Sequence, residues 1–172
     1  WVISCDYGTT NPASFGLWGL WDGVWYRLQE YYYDSRREGA QKTDEEYYEA
    51  LDALAGGRPV AMLICDPSAA SFLACVRRHG RYQAVAARNE VGDGIRRVAS
   101  ALNRMALRFS PECRDTLREF SLYRWEEGGG DRPRKENDHA MDDIRYFVST
   151  VLEGGEESFA AVTVPREGAL RF

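Results

Sequence analysis

Residues 2–8, VISCDYG, and residues 61–68, AMLICDPS, share one form: an apolar run, then Cys-Asp, then a turn. Each reads as a buried strand that ends on an aspartate. Side chains alternate faces along a strand, so if Asp6 and Asp66 point to one side, Cys5 and Cys65 point to the other, into a core. Ligands of open α/β sheets gather at the carboxyl ends of the strands. Two neighbouring parallel strands lie about 4.8 Å apart, which brings Asp6 and Asp66 within reach of one cation. Unpaired carboxylates that close repel and one pKa rises. A divalent cation relieves the conflict, and oxygen-only ligands favour Mg2+ or Mn2+. A strand-end aspartate is also a common turn former, and each taken alone reads more readily as structural.

Around these strand ends the chain alternates. Apolar, aromatic-rich stretches at 14–21 and 24–33 flank Asp22-Gly23, a two-residue hairpin signal. Thr43 with Glu46 makes a capping box that opens a helix to residue 55, where Gly56-Gly57-Arg58-Pro59 stops it. A strand is expected over 60–65, then a helix from a Ser68 cap to His79, with Gly80 as the stop. Further strands are expected at 82–86, 107–109 and 122–125, and helices at 92–105, 111–120 and 139–152. The order is strand, hairpin, helix, then alternating strands and helices, which implies an α/β fold with a mixed central β-sheet flanked by helices. The tyrosine run at 31–33 reads as core and sheet edge. The glycine-rich tip at 126–134 reads as a surface turn or a mobile gate.

A chain of 172 residues suits one domain with a substantial core, and 44% hydrophobic content excludes disorder. No apolar run is long enough to span a bilayer, and no leader pattern opens the sequence. The first residues already read as strand, so the domain is expected to be a piece of a longer polypeptide. Cys5, Cys65, Cys75 and Cys113 show no CxxC spacing, which suits a reducing compartment and argues against a zinc site. His79, before Gly80, reads as a partner of the helix dipole. Residues 77–118 carry 10 basic against 4 acidic side chains between acidic flanks. Arg96, Arg97 and Arg104 fall on the helix of that stretch. Such a patch suits a polyanion, and a solvated arginine-rich helix face accounts for it equally well.

Residues 135–146, KENDHAMDDIRY, add a third acidic group at the start of a helix. Its apolar stripe is Ala140, Ile144, Phe147, Val148 and Val151. At 100° per residue Asp143 lies on the shoulder of that stripe with His139 and Tyr146, whereas Asp142 points nearly opposite. Periodicity alone therefore prefers Asp143 to Asp142, although the first turn of a helix can face a site without obeying the core stripe.

Taken together, DYGTTNPASFGLW (6–18), CDPSAASF (65–72), NEVGDGIRRVASALNR (89–104) and FSLYRWEEGGGDRPRKENDHAMDDIRY (120–146) resemble the C-terminal nuclease domain of tailed-bacteriophage terminase large subunits. The matches run in order from Asp6 to Tyr146. The resemblance implies an RNase H-like fold and an endonuclease that cuts concatemeric viral DNA during genome packaging, with two divalent cations and little sequence preference. It implies one nuclease domain over 1–172 without its ATPase domain, with a tail at 153–172 in which only 160–164 reads as a strand. By position it makes Asp6, Asp66 and Asp142 the metal ligands and catalytic carboxylates, Asp6 bridging both ions. The family's run is HAxDALRY, and this chain has Asp143 where alanine is usual, so Asp143 enters as a second ligand or an outer-sphere partner. His139 would bind metal or move a proton, and Lys135 would neutralise a scissile phosphate. Arg96, Arg97 and Arg104 would contact the phosphates of double-stranded DNA. The resemblance also implies an upstream ATPase domain, a small terminase subunit and a portal protein as partners, in the host cytoplasm and away from membranes. No GxxxxGK[ST] motif is present to run a motor within this chain.

Two other readings compete. DYGTTN also resembles the phosphate-binding turn of actin-like kinases and ATPases, with Gly8, Thr9 and Thr10 cradling phosphates. Those enzymes need a second domain and a second glycine-rich turn, neither of which is here. A DNA-binding assembly domain that does not cut is the third class.

Overall fold

The computed structural model describes residues 1–126 and 132–152. Most of the glycine-rich tip and the strand expected at 160–164 lie outside the described residues. The gating reading of the tip is therefore left as an expectation.

Six strands form one sheet: β1 (Val2–Asp6), β2 (Ala13–Trp21), β3 (Val24–Tyr33), β4 (Met62–Cys65), β5 (Ala84–Ala86) and β6 (Leu107–Phe109). Their order is β5-β4-β1-β2-β3-β6, and β2 alone runs against the others. The β2–β3 hairpin turns on Asp22 and Gly23, both at positive φ of 50° and 76°, the backbone that a two-residue turn demands.

Helices cover both faces. On one, α2 (Asp44–Ala55) and α3 (Ala70–His79) pack on Ile3, Cys5, Phe15, Leu63 and Cys65. On the other, α4 (Val91–Asn103) and α6 (His139–Phe147) pack on Val2, Trp18 and Ile64, and Phe120 of α5 (Arg114–Leu122) joins them. A short α1 (Ser35–Glu38) follows β3, and a π-helical turn, Val148–Leu152, ends the described chain. The alternation expected from the two strand ends therefore holds: Cys5 and Cys65 are fully buried in the α2–α3 layer.

Four local expectations need correction. Ser68 does not cap α3, because Ala69 occupies that position without a side-chain bond, and the Ser68 N–H instead donates to Asp66 Oδ1 at 2.7 Å. The strand over 60–65 starts only at Met62, because Val60 is held in a turn by Arg58. The helix expected from 111 starts at Arg114, since Ser110 forms a turn in which its hydroxyl accepts from the Glu112 N–H and its carbonyl from the Cys113 N–H. No strand forms at 122–125: α5 runs to Leu122, and only a Trp125–Pro133 bridge follows.

The start of α6 is set from outside the helix. Asp138, at its N-cap, makes no side-chain cap bond. The buried N–H of Ala140, which has no partner within the helix, donates to the buried carboxylate of Glu119, on α5, at 2.7 Å. Glu30 on β3 caps α5 in the same way, accepting from the N–H groups of Asp115 and Thr116 at 2.7 and 3.1 Å. Remote carboxylates thus fix where both helices begin, relative to the sheet.

Candidate metal centre

Strands β1 and β4 are parallel neighbours with Cys5 opposite Cys65. Asp6 and Asp66 are the next residues on each, level with one another at the C-terminal rim. Asp142, in the first turn of α6, reaches the same rim. These three carboxylates line one cleft of about 710 Å³, together with His139, Tyr146 and Lys135.

Each carboxylate is held by a different partner. Asp6 Oδ2 lies 2.8 Å from His139 Nδ1. Asp66 accepts from the Tyr146 hydroxyl at 2.6 Å and from the Ser68 N–H. Asp142 pairs with Arg145 Nη2 at 2.8 Å, and Arg145 is itself anchored on the Asn89 carbonyl at 2.8 Å. Helical phase explains why the groups meet: His139, Asp142 and Tyr146 are three and four residues apart on one face of α6.

The electrostatics are unequal. Burial, helped by the charges of Asp142 and Asp143 and opposed by His139, pushes the Asp6 carboxyl up to about 6. Burial acts on Asp66 too, but hydrogen bonds from Tyr146 and Ser68 outweigh it and hold that carboxyl below its ordinary value. Burial would discharge His139, yet its bond to Asp6 lifts it above the usual imidazole value. Among the described residues, no lysine or arginine forms an ion pair with Asp6 or Asp66.

Asp143, expected from the sequence as a metal ligand, is placed elsewhere. It is fully buried and points at the sheet rather than the cleft. Its Oδ1 accepts from Ser4, and its Oδ2 accepts from Ser14 at 3.0 Å and pairs with Arg27 Nη2 at 2.7 Å. Trp18 Nε1 donates to Ser4 at 2.8 Å and closes the network. Arg27 is fully buried as well, and although burial works against its charge, Asp143 holds its pKa above the ordinary value. Gly16 makes room for it, since a Cβ there would lie 1.8 Å from Arg27 Nη1. A carboxylate whose two oxygens are taken and which has no exposed face is not placed to ligate a cation in the cleft directly, although its charge is felt by Asp6.

Arg96, Arg97 and Arg104, expected to contact DNA phosphates, lie outside the cleft lining. Arg96 pairs with Asp93 on the surface of α4, and Arg104 is exposed beyond the helix end. The cations lining the cleft among the described residues are Arg36, Arg37, Arg118 and Lys135. Arg118 stands over the Tyr32 ring at 5.4 Å and donates to Asn137 at 2.9 Å. Sequence reading missed Arg36, Arg37, Arg118 and Tyr146. The charge run in DSRRE, directly after a strand of the sheet, was the available signal for the first two. For Tyr146 the signal was its spacing of four residues from Asp142 on α6; nothing local marked Arg118.

The donor set fits divalent cations. Three carboxylates line one cleft, and burial raises the Asp6 carboxyl even though His139 opposes it, a conflict that a hard cation relieves.

No family model and no curated protein matches the chain. Among solved structures, the large terminase of the thermophilic bacteriophage D6E is 49% identical, with a TM-score of 0.85, over 88% of this chain and 40% of that one. The chain thus spans about two fifths of that relative's length. The P22 large terminase nuclease domain matches at 15% identity and a TM-score of 0.68, over 87% of this chain and 79% of that one. The large terminase nuclease domain of bacteriophage SPP1, solved with bound Mn, matches at 17% and 0.63, over 88% and 86%. The last two likenesses establish a shared fold: the mixed six-stranded sheet flanked by helices.

Proposed function

We propose that the chain is the nuclease domain of a tailed-bacteriophage large terminase, on its likeness to the D6E large terminase, and that it hydrolyses phosphodiester bonds of double-stranded DNA with two divalent cations, Mg2+ or Mn2+. The observation that carries this is the convergence of Asp6, Asp66 and Asp142, from two strands and a helix, on one cleft. Those three residues would hold the cations. The bound cations supply an attacking water of lowered pKa and a stabilised leaving 3′ oxygen. The chain's own residues prepare the site. His139 holds Asp6 through Nδ1 as its positioning partner, which leaves Nε2 to bind a cation or to move a proton. Tyr146 orients Asp66 with its hydroxyl, and Arg145 orients Asp142. Lys135, Arg36, Arg37 and Arg118, on the cleft walls, neutralise the DNA backbone and read no sequence.

In the whole protein this domain, here residues 1–172, would cut concatemeric viral DNA during packaging in the host cytoplasm. An ATPase domain of the same parent chain would drive translocation, and a small terminase subunit and the portal would set when cutting occurs. No helix among the described residues is long and apolar enough to cross a membrane.

Supercoiled plasmid incubated with the chain tests the reading. Mn2+ or Mg2+ should produce nicked and linear DNA, a chelator should stop it, and Asp66→Asn should lower the rate by about a hundredfold or more. Nicking that survives chelation or that substitution contradicts the proposal. DNA binding without any cation-dependent nicking favours the assembly-domain reading.

A further inference from the structure

The opposite face of the sheet carries a second group of metal-binding side chains that the cleft does not use. We propose that Glu45, Cys75 and His79 form a site for a zinc-class transition metal that links α2 to α3. Cys75 and His79 are four residues apart on α3, the spacing that puts two ligands on one helix face. Glu45 reaches them from the first turn of α2. The ligand atoms of all three lie within 4.8 Å of one another. Three points so spaced share a centre no more than about 2.8 Å from any of them. Bonds to Zn2+ are about 2.0–2.3 Å, so shifts of under about 1 Å complete the site.

Part of the geometry is already fixed. His79 Nε2 lies 2.7 Å from Glu45 Oε2. The His79 ring is stacked on Tyr48, with centroids 3.7 Å apart and planes at 7°, which sets its direction. A thiolate, an imidazole and a carboxylate form a donor set that suits borderline-soft Zn2+ and disfavours Mg2+. The fourth tetrahedral position is left for water. Arg78 now donates to Glu45, and as an exposed side chain it turns out to solvent when the metal enters. The Cys75 thiol proton passes to solvent as the metal–sulfur bond forms. Because the ligands come from two helices, occupancy stabilises the folded chain by mass action. The absence of CxxC spacing hides such a site from the sequence, since its sulfur and nitrogen ligands share a helix rather than a knuckle.

The test is a Co2+ titration of the chelator-washed chain, read by the sulfur-to-cobalt charge-transfer band in the near ultraviolet. Wild type should saturate at one sulfur-bound Co2+ per chain, and Zn2+ should bleach the band. Cys75→Ala should abolish it. His79→Ala, first shown folded by circular dichroism, should weaken binding about tenfold or more. Asp66→Asn should leave the band unchanged, which separates this site from the oxygen-lined cleft. Absence of the band in wild type overturns the proposal, and so does a band that persists undiminished in His79→Ala or Cys75→Ala.

Discussion

Asp142 and Asp143 are consecutive in the chain, and they belong to two regions that treat a carboxylate in opposite ways. Asp143 lies under the sheet surface, where Arg27, Ser4 and Ser14 occupy both its oxygens. Asp142 lies at the rim beside Asp6, whose burial is not matched by any lysine or arginine. The first region is closed from solution and pairs its carboxylate with an internal counter-charge, although burial still raises the Asp143 carboxyl and leaves Arg27 Nε and Nη1 without hydrogen-bond partners. The second sets three carboxylates against Arg145 and His139, and on the proposed function cations from solution complete it. Buried charge is costly unless paired, so an unfinished acidic site is a stability deficit that a cation-binding function explains.

The largest expected effect breaks the closed region. Arg27→Met leaves Asp143 buried without its counter-charge and should cost about 3–5 kcal/mol in urea unfolding. The double variant Arg27→Met/Asp143→Leu, which removes both charges, should recover most of that loss. Recovery failing in the double variant would mean that the pair is not what the region depends on.

A smaller effect comes from crowding the same network. Gly16→Ala forces a Cβ to within 1.8 Å of the Arg27 guanidinium. Because Arg27 is enclosed on all sides, it cannot swing away as a surface arginine would. The cost should be about 1–3 kcal/mol of overpacking, read by thermal or urea melts. A neutral result would show that the guanidinium has slack.

The smallest effect should have the opposite sign and sharpens the contrast. Asp6 keeps its proton in the folded chain up to about pH 6, whereas an unfolded aspartate releases it near about pH 4. Between those values the native state binds more protons, so stability falls as pH rises through the window. Asp6→Asn removes that penalty. It should stabilise the cation-free chain by about 1–2 kcal/mol above pH 6, with the gain disappearing towards pH 4. Urea melts across that range check it, and destabilisation at high pH would refute the view that His139 only partly offsets the burial of Asp6.

The strand ends were legible because a period of two, Cys-in and Asp-out, is written in VISCDYG and AMLICDPS themselves. The hairpin and the α2 start were legible for the same reason: Asp22-Gly23 and Thr43 with Glu46 carry their own geometry. The phase of α6 was not. An amphipathic stripe assumes one buried side, but this helix is covered over most of its circumference, including Asp143, Arg145 and Tyr146. Helical phase therefore favoured the carboxylate that the structure buries. Resemblance put Asp142 at the site because it aligns the whole segment and not a single angle. Arg27 was invisible as a partner, since it reads as a polar residue on an ordinary alternating strand, 116 positions before Asp143. The caps from Glu119 and Glu30 were hidden likewise, because long-range carboxylates leave no local pattern.

Calorimetric titration of Mn2+ into Asp142→Asn and Asp143→Asn, each first shown folded by circular dichroism, sets the two regions side by side. Asp142→Asn should weaken binding about tenfold or more, and Asp143→Asn, an isosteric change in a closed network, should leave the affinity within about threefold of wild type. Loss of Mn2+ binding in Asp143→Asn together with wild-type affinity in Asp142→Asn would contradict the assignment of the cleft.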